Sequence, residues 1–213
     1  MIKEGDYMNI PNKIKEILKD YPLKKDTLGR SEDLIYFAAN KYVLKISKNK
    51  EKLRHEVEMN NYLKDKLPVS KTIIYEEDHE YGYYLKTYIE GEPLISKKYL
   101  KNPYNLILLL KDALDKIHSV DIVNCPFANS YSKGNCFIHG DFCLPNILIK
   151  DNKISGFIDL NDAGIGDKYA DYSWCIWSFE YNLKTNKYTP VLLKELGIEF
   201  NQELYDKYTK MED

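Results

Sequence analysis

Arginine is scarce in this chain: Arg30 and Arg54 are the only two in 213 residues, and 31 Lys and Arg together face 33 Asp and Glu. A formal net charge of -2 supplies no general basic field for displacing counterions from nucleic acid. Two arginines cannot build a forked reader of phosphates or bases, so no nucleic-acid partner is expected. The four cysteines, Cys125, Cys136, Cys143 and Cys175, form no CxxC pair. A chain of this length buries enough core to stand without disulfides, and the cysteines read as reduced thiols in a cytoplasm. His55, His79 and His118 show no HxxxH spacing, which argues against a zinc site. The longest uninterrupted aliphatic run, Leu106 to Leu110, falls far short of the roughly 20 residues of a membrane span. The opening MIKEGDYMNIPNK has no apolar signal core, so neither export nor membrane insertion is expected. GxSxG, GxGxxG and the Walker A pattern are also missing.

What is present, 44% hydrophobic and 13% aromatic residues, is enough for one large or two small domains. Apolar residues at helical spacing predict a first helix over Ile10 to Asp20, ended by Tyr21-Pro22. Leu34 to Ala39 and Lys41 to Ser47 predict an antiparallel hairpin, and Asn49 to Leu63 an amphipathic helix. Two further strands follow at Thr72 to Tyr75 and Tyr83 to Ile89. Beyond the break at Glu90-Gly91-Glu92-Pro93 the pattern turns helical, at Tyr104 to Val120, Tyr169 to Tyr181, Thr189 to Leu196 and Glu203 to Met211. Two strands interrupt it, Ile147 to Lys150 and Ile154 to Asp159, joined by a turn at Asp151-Asn152-Lys153. The expectation is an α+β chain with a sheet-rich part over 1–90 and a helix-rich part over 91–213, hinged near 87–91.

The segment richest in chemistry is His139-Gly140-Asp141-Phe142-Cys143-Leu144-Pro145-Asn146, followed by a strand, a turn, a strand and Asp159. This spacing of Asp, Asn and a second Asp is the layout of a kinase catalytic loop and its metal-binding carboxylate. Phosphoryl transfer needs hard oxygen ligands for Mg²⁺, which the Asn146 amide and Asp159 can supply. Asp141 would orient the acceptor hydroxyl and take its proton. Asp162 is the rival ligand, but the apolar run ends at Asp159. Lys45, inside the apolar Tyr42 to Ile46, reads either as an edge-strand gatekeeper or as a cation for phosphates. Helical spacing puts Glu56 among Leu53, Val57, Met59 and Leu63, with Glu58 nearly opposite. A charge in that position needs a cation, and Lys45 is the candidate. Asp26 to Ser31 is a turn with one glycine that reads equally as a phosphate cover or a plain polar turn. His118, at a helix end, reads as a structural side chain bonded to the catalytic-loop backbone.

Five separated stretches, KDTLGRS, KLPVSK, HSVDIVNCPFANS, HGDFCLPNILI and SGFIDLNDAGIGDKYAD, together resemble the aminoglycoside O-phosphotransferases, especially the 3'-phosphotransferase branch. The resemblance implies a two-lobed, protein-kinase-like fold and phosphorylation of an antibiotic hydroxyl, which confers resistance. It implies ATP with Mg²⁺ as the donor system, with GTP left open. Carried over by position, Asp141 matches the catalytic Asp, and Asn146 and Asp159 match the metal ligands. Lys45 and Glu56 match the phosphate-binding pair, Ser31 the nucleotide-loop serine, and the backbone of Thr87 to Ile89 the adenine hinge. Val43 stands where such enzymes can carry an adenine-stacking tyrosine. The family's longer helical segment between the CPFANS-like motif and HGD is here reduced to Tyr131 to Phe137 with Ile138. Of the acidic residues that grip a cationic acceptor, Glu212 and Asp213 match the terminal pair. Another small alcohol as acceptor, or a nucleotide-binding homologue without turnover, are the competing readings.

Overall fold

A computed structural model describes residues 10–26 and 33–210. The chain begins with α1 (Asn12–Leu18) and β1 (Leu23–Lys25), then β2 (Leu34–Ala38) and β3 (Tyr42–Ser47). Next come α2 (Lys50–Leu63), β4 (Thr72–Glu77) and β5 (Gly82–Thr87). The five strands form one antiparallel sheet in the order β1-β2-β3-β5-β4. The β2–β3 turn is closed by the Lys41 N–H on the Ala38 carbonyl, with Ala39 and Asn40 both at positive φ. Asn49 starts α2 by accepting the Lys52 N–H at 3.0 Å.

Alternation along the strands divides their side chains between two layers. Tyr36, Leu44, Ile46, Tyr83 and Leu85 are buried on one face against Ile10, Ile14 and Leu18 of α1 and its lead-in. On the other face Tyr84 packs with Leu53 and Val57 of α2, and that same face carries Lys45 and Lys86. Tyr42 belongs to the α1 side, edge-on to Tyr21 at 5.4 Å, and Val43 to the α2 side. Burying five apolar residues against one short helix accounts for α1, which is too short to be stable alone.

After Thr87 the chain immediately joins a second sheet. β6 (Glu92–Pro93) pairs with β8 (Ile147–Lys150), and β8 with β9 (Lys153–Phe157). The β8–β9 turn is tighter than its composition suggested: Asp151 and Asn152 alone span it, at φ 52° and 58°, and Lys153 already pairs with Lys150. β9 stops at Phe157, two residues before the end expected from the apolar run. Sequence periodicity also gave no sign of β7 (Cys136–Ile138) and β10 (Gly164–Gly166), which form a small antiparallel pair. Each has three residues, too few to show a period. Around these strands lie α3 (Lys97–Leu100), α4 (Pro103–His118), α5 (Lys168–Leu183), α6 (Thr189–Leu196) and α7 (Gln202–Thr209). The largest core lies here, built on Leu106, Leu110, Leu114 and Ile117 of α4 with Phe137, Phe142, Phe157 and Phe179, and reached by Met59 and Leu63 of α2. Among the described residues no helix is long and apolar enough to cross a membrane.

The two faces of α4 give a stability test. Leu110 is fully buried and Leu108 is 56% exposed. Leu110→Ala is expected to cost about 2–5 kcal/mol in chemical denaturation, against under about 0.5 kcal/mol for Leu108→Ala.

Candidate active site

Lys45 leaves β3 toward α2 and is almost wholly buried. Its Nζ donates to Glu56 Oε2 at 2.9 Å and to Asp159 Oδ1 at 3.1 Å, and lies 3.3 Å from Asp33 Oδ2. Burial alone would lower the lysine's pKa, but Glu56, Asp159 and Asp33 outweigh it and raise it well above the ordinary lysine value. Glu56 has no solvent exposure, whereas Glu58 is exposed, as the helical spacing required. Burial opposes the Glu56 charge, yet the neighbouring Lys45 and Lys86 hold its pKa down at about 2. Lys86 comes from β5 and donates to Glu56 Oε1. A cavity of about 500 Å³ opens beside this cluster, with Lys45, Asp159, Asn161 and Lys52 in its wall.

The segment around Asp141 is held from below by one carboxylate. Asp171, fully buried on α5, accepts the His139 N–H on Oδ2 and the Gly140 N–H on Oδ1, each at 2.9 Å. His118 Nε2 lies 3.1 Å from Asp171 Oδ2, so its link to the loop runs through this side chain and is not the direct backbone bond expected from sequence. Gly140 adopts φ +84° against the Asp162 carbonyl, where any Cβ would collide, and Tyr131 donates to the Gly140 carbonyl. Ser178 accepts the Leu144 N–H at 3.0 Å. These contacts fix both ends of the segment that carries Asp141.

Within it, Asn146 Nδ2 donates to Asp141 Oδ2 at 2.8 Å and to the Asp141 carbonyl at 3.1 Å, which leaves the amide oxygen as the atom to offer a cation. The Asn146 carbonyl accepts the Ile158 N–H at 3.0 Å, and His139 Nε2 lies 3.1 Å from the Ile158 carbonyl. Asp141 and Asn146 are thereby laced to the residue preceding Asp159. Asp159 leaves the sheet at φ 61°, a costly conformation for a non-glycine residue, and this turn accompanies its contact with Lys45. Asp162 is committed elsewhere: its carboxylate meets Lys52 at 3.3 Å and Asn161 at 2.9 Å, and its carbonyl accepts from Asn129 at 2.7 Å. Cys143, beside Asp141, is a buried free thiol whose pKa is raised by burial and then by the Asp141 charge.

Along the expected hinge, Thr87 and Tyr88 give their N–H groups to the Lys71 and Lys41 carbonyls, both at 2.9 Å. Of Thr87 to Ile89, the Ile89 N–H is the donor not used in those two bonds. Ile89 packs over Gly156, where a Cβ would approach its Cγ2 to 2.6 Å. Ser31, Glu212 and Asp213 lie outside the described residues. The donor set fits magnesium. Asp159 and the Asn146 amide are hard oxygen donors, and Asn161 Oδ1, in the same cavity wall as Asp159, is buried with no hydrogen-bond partner among the described residues. Among the described residues no group of three or more His, Cys, Asp or Glu could hold a metal ion.

Sequence reasoning missed Lys86, Asp171, Asp33 and His55. The first two carried the signal that revealed Lys45, a charge inside an apolar run: Tyr83 to Leu85 precede Lys86, and Ala170 and Tyr172 flank Asp171. His55 stacks on Phe127, with ring centroids 3.8 Å apart, and its Nε2 lies 2.7 Å from the Ala163 carbonyl. No local pattern announces a contact between residues so far apart in sequence. The Asp171 node can be tested directly. Asp171→Asn offers the two loop N–H groups one acceptor oxygen and an amide NH₂, so a loss of about 1–3 kcal/mol in thermal or chemical unfolding is expected.

Compared with known proteins, the chain matches the phosphotransferase enzyme family over residues 24–135 and 130–192, two stretches that meet at 130–135. A probable aminoglycoside 3'-phosphotransferase of Lactococcus lactis is 29% identical, the match covering 84% of each chain. An aminoglycoside 3'-phosphotransferase of Enterococcus faecalis is 26% identical over 260 aligned positions, covering 97% of this chain and 98% of the relative. Because 260 positions exceed the 213 residues of this chain, the relative carries internal residues that this chain lacks. Among solved structures, the aminoglycoside phosphotransferase APH(3'')-Id of Streptomyces rimosus aligns with TM-score 0.77 at 16% identity, covering 98% of this chain and 97% of that one. An aminoglycoside-3'-phosphotransferase of type VIII aligns at 0.75 with 14% identity, covering 92% of this chain and 95% of that one. The two-lobed kinase-like fold is thus shared, and with the family match spanning most of its length the chain belongs to the phosphotransferase enzyme family.

Proposed function

We propose that this phosphotransferase moves the γ-phosphoryl group of ATP to a hydroxyl of an aminoglycoside. The observation that carries the reading is the buried Lys45–Glu56 pair meeting Asp159, with Asp141 and Asn146 laced to the neighbouring residue Ile158. Lys45 provides the cation for the nucleotide phosphates, and Glu56 fixes it. Asn146 and Asp159 would hold Mg²⁺, which supplies charge neutralisation at the β- and γ-phosphates when bound. Asp141 orients the acceptor hydroxyl and accepts its proton. The Thr87 carbonyl and Ile89 N–H suit the adenine edge, consistent with a lobe boundary near residue 90. Ser31 is assigned to the phosphate cover, and Glu212 and Asp213 to the cationic acceptor. The four unpaired cysteines suit a reducing cytoplasm.

The names of the relatives favour the aminoglycoside, and one observation favours a second acceptor class. The family match divides into two stretches that overlap at 130–135, at the start of the segment, Tyr131 to Ile138, that is shortened relative to the family it resembles. A shorter wall there offers fewer carboxylates to a polycation. ADP release coupled to a panel of aminoglycosides and neutral alcohols separates the two. Turnover confined to kanamycin-type compounds supports the first reading, turnover confined to other alcohols replaces the acceptor, and silence with all of them sinks both. In the active pairing, Asp141→Ala should lower kcat by about 10²- to 10⁴-fold with nucleotide affinity kept. Glu56→Gln should impair nucleotide use far more than Glu58→Gln, because only Glu56 is buried against the lysines. The acid limb gives a further check. With its folded pKa held at about 2, below the usual glutamate value, Glu56 adds stability above about pH 4.5 that is lost as pH falls toward 2. Unfolding followed from pH 5 to pH 2 should therefore show a shallower loss in Glu56→Gln than in the parent.

A further inference from the structure

Glu56 is a single carboxylate between two buried lysines. Lys45 and Lys86 stand on neighbouring strands and on one face of the sheet, Lys45 opposite Tyr84 and Lys86 opposite Val43. Each takes one Glu56 oxygen, and each side chain is less than a tenth exposed. The other carboxylates of the cluster are distributed unevenly: Asp33 and Asp159 both lie against Lys45. Lys86 has the Tyr84 ring as its other neighbour, with Nζ 5.3 Å from the centroid.

This asymmetry has an electrostatic consequence. One carboxylate neutralises one cation, so in a lone Lys45–Glu56 pair the glutamate that positions the lysine also cancels much of its attraction for phosphate. Here Lys86 satisfies the Glu56 oxygen that Lys45 does not use. Lys45, Lys86 and Glu56 together carry one positive charge, but Asp33 and Asp159 also lie against Lys45. The five groups together therefore carry one negative charge, and every carboxylate competes with phosphate for that lysine.

We propose that Lys86 is a positioning residue for the nucleotide: by holding one oxygen of Glu56 and offsetting its charge, it keeps that carboxylate in place and weakens its competition for Lys45 when Lys45 meets the phosphates. The inference rests on the phosphotransferase reading. It assigns Lys86 no contact with the nucleotide and no part in the chemical step, so its effect belongs to affinity and to the nucleotide KM.

The test is calorimetric titration of the full chain with magnesium and a non-hydrolysable ATP analogue. Lys86→Met keeps the unbranched stem and removes the charge. Its Kd for the analogue is expected to rise roughly tenfold or more, as a weakened charge-assisted contact from Lys45 to the phosphates would give. Lys86→Arg should recover most of that loss, and kcat at saturating nucleotide should stay within about threefold. The deciding measurement is a double-mutant cycle with Lys45→Met. If Lys86 acts through Lys45, Lys86→Met adds no further loss of affinity in the Lys45→Met background. Additive losses, or unchanged affinity with a lowered melting temperature, would make Lys86 a structural strut and overturn the inference. Should Lys86→Met fail to fold, Lys86→Gln carries the same comparison with a side chain that can still donate to Glu56. A parent protein that binds no nucleotide overturns the phosphotransferase reading and this inference with it, whereas equal binding by parent and Lys86→Met overturns this inference alone.

Discussion

A fully buried carboxylate is expensive, and the placement of Glu56 only makes sense because lysines arrive from two strands to meet it. That requirement organises the first lobe. β3 and β5 must be neighbours in register for Lys45 and Lys86 to reach the same side chain, and α2 must lie across the face they share. The apolar contacts of Leu53 and Val57 with Tyr84 press the helix onto the sheet, while the charged cluster selects which turn of the helix meets which rung. Hydrophobic packing alone would tolerate a shift along the strands. Two directed ion pairs on one carboxylate do not.

The second lobe solves an analogous problem with backbone groups. The loop that carries Asp141, the proposed catalytic residue, leaves regular structure, and its N–H groups then need acceptors. Asp171 supplies both oxygens to His139 and Gly140, and Ser178 serves Leu144, so α5 acts as a rack beneath the loop. The link from Asn146 to Ile158 passes that order on to Asp159. Asp159 in turn touches Lys45, and the two charged centres, one per lobe, meet through that contact.

Much of this was legible in the sequence because it is local. The spacing from Asp141 to Asn146 to Asp159, and the helical phase that turns Glu56 inward and Glu58 outward, are properties of consecutive residues. The helices and long strands followed from periodicity with ends displaced by at most two residues. What could not be read was either too short or too distant. β7 and β10 have three residues each and exist by pairing with one another. Tyr131 reaching Gly140, and Asp33 reaching Lys45, are tertiary facts without a periodic trace. Lys86 and Asp171 are a different case, since each broke an apolar run as visibly as Lys45 did. They were passed over because no motif drew attention to them, although the cost of an unpaired buried charge was the same.

The stacking of His55 on Phe127 has a mechanical meaning. Together with the His55 contact to Ala163 and the Lys52 contact to Asp162, it fastens the exposed flank of α2 to the two loops on either side of the small β7–β10 pair. Sliding α2 outward, so that Glu56 parted from Lys45, would break an aromatic stack, a carbonyl contact and an ion pair in one motion. The helix is riveted rather than hinged. The position of Glu56 against Lys45 is therefore set jointly by the sheet and by these two loops.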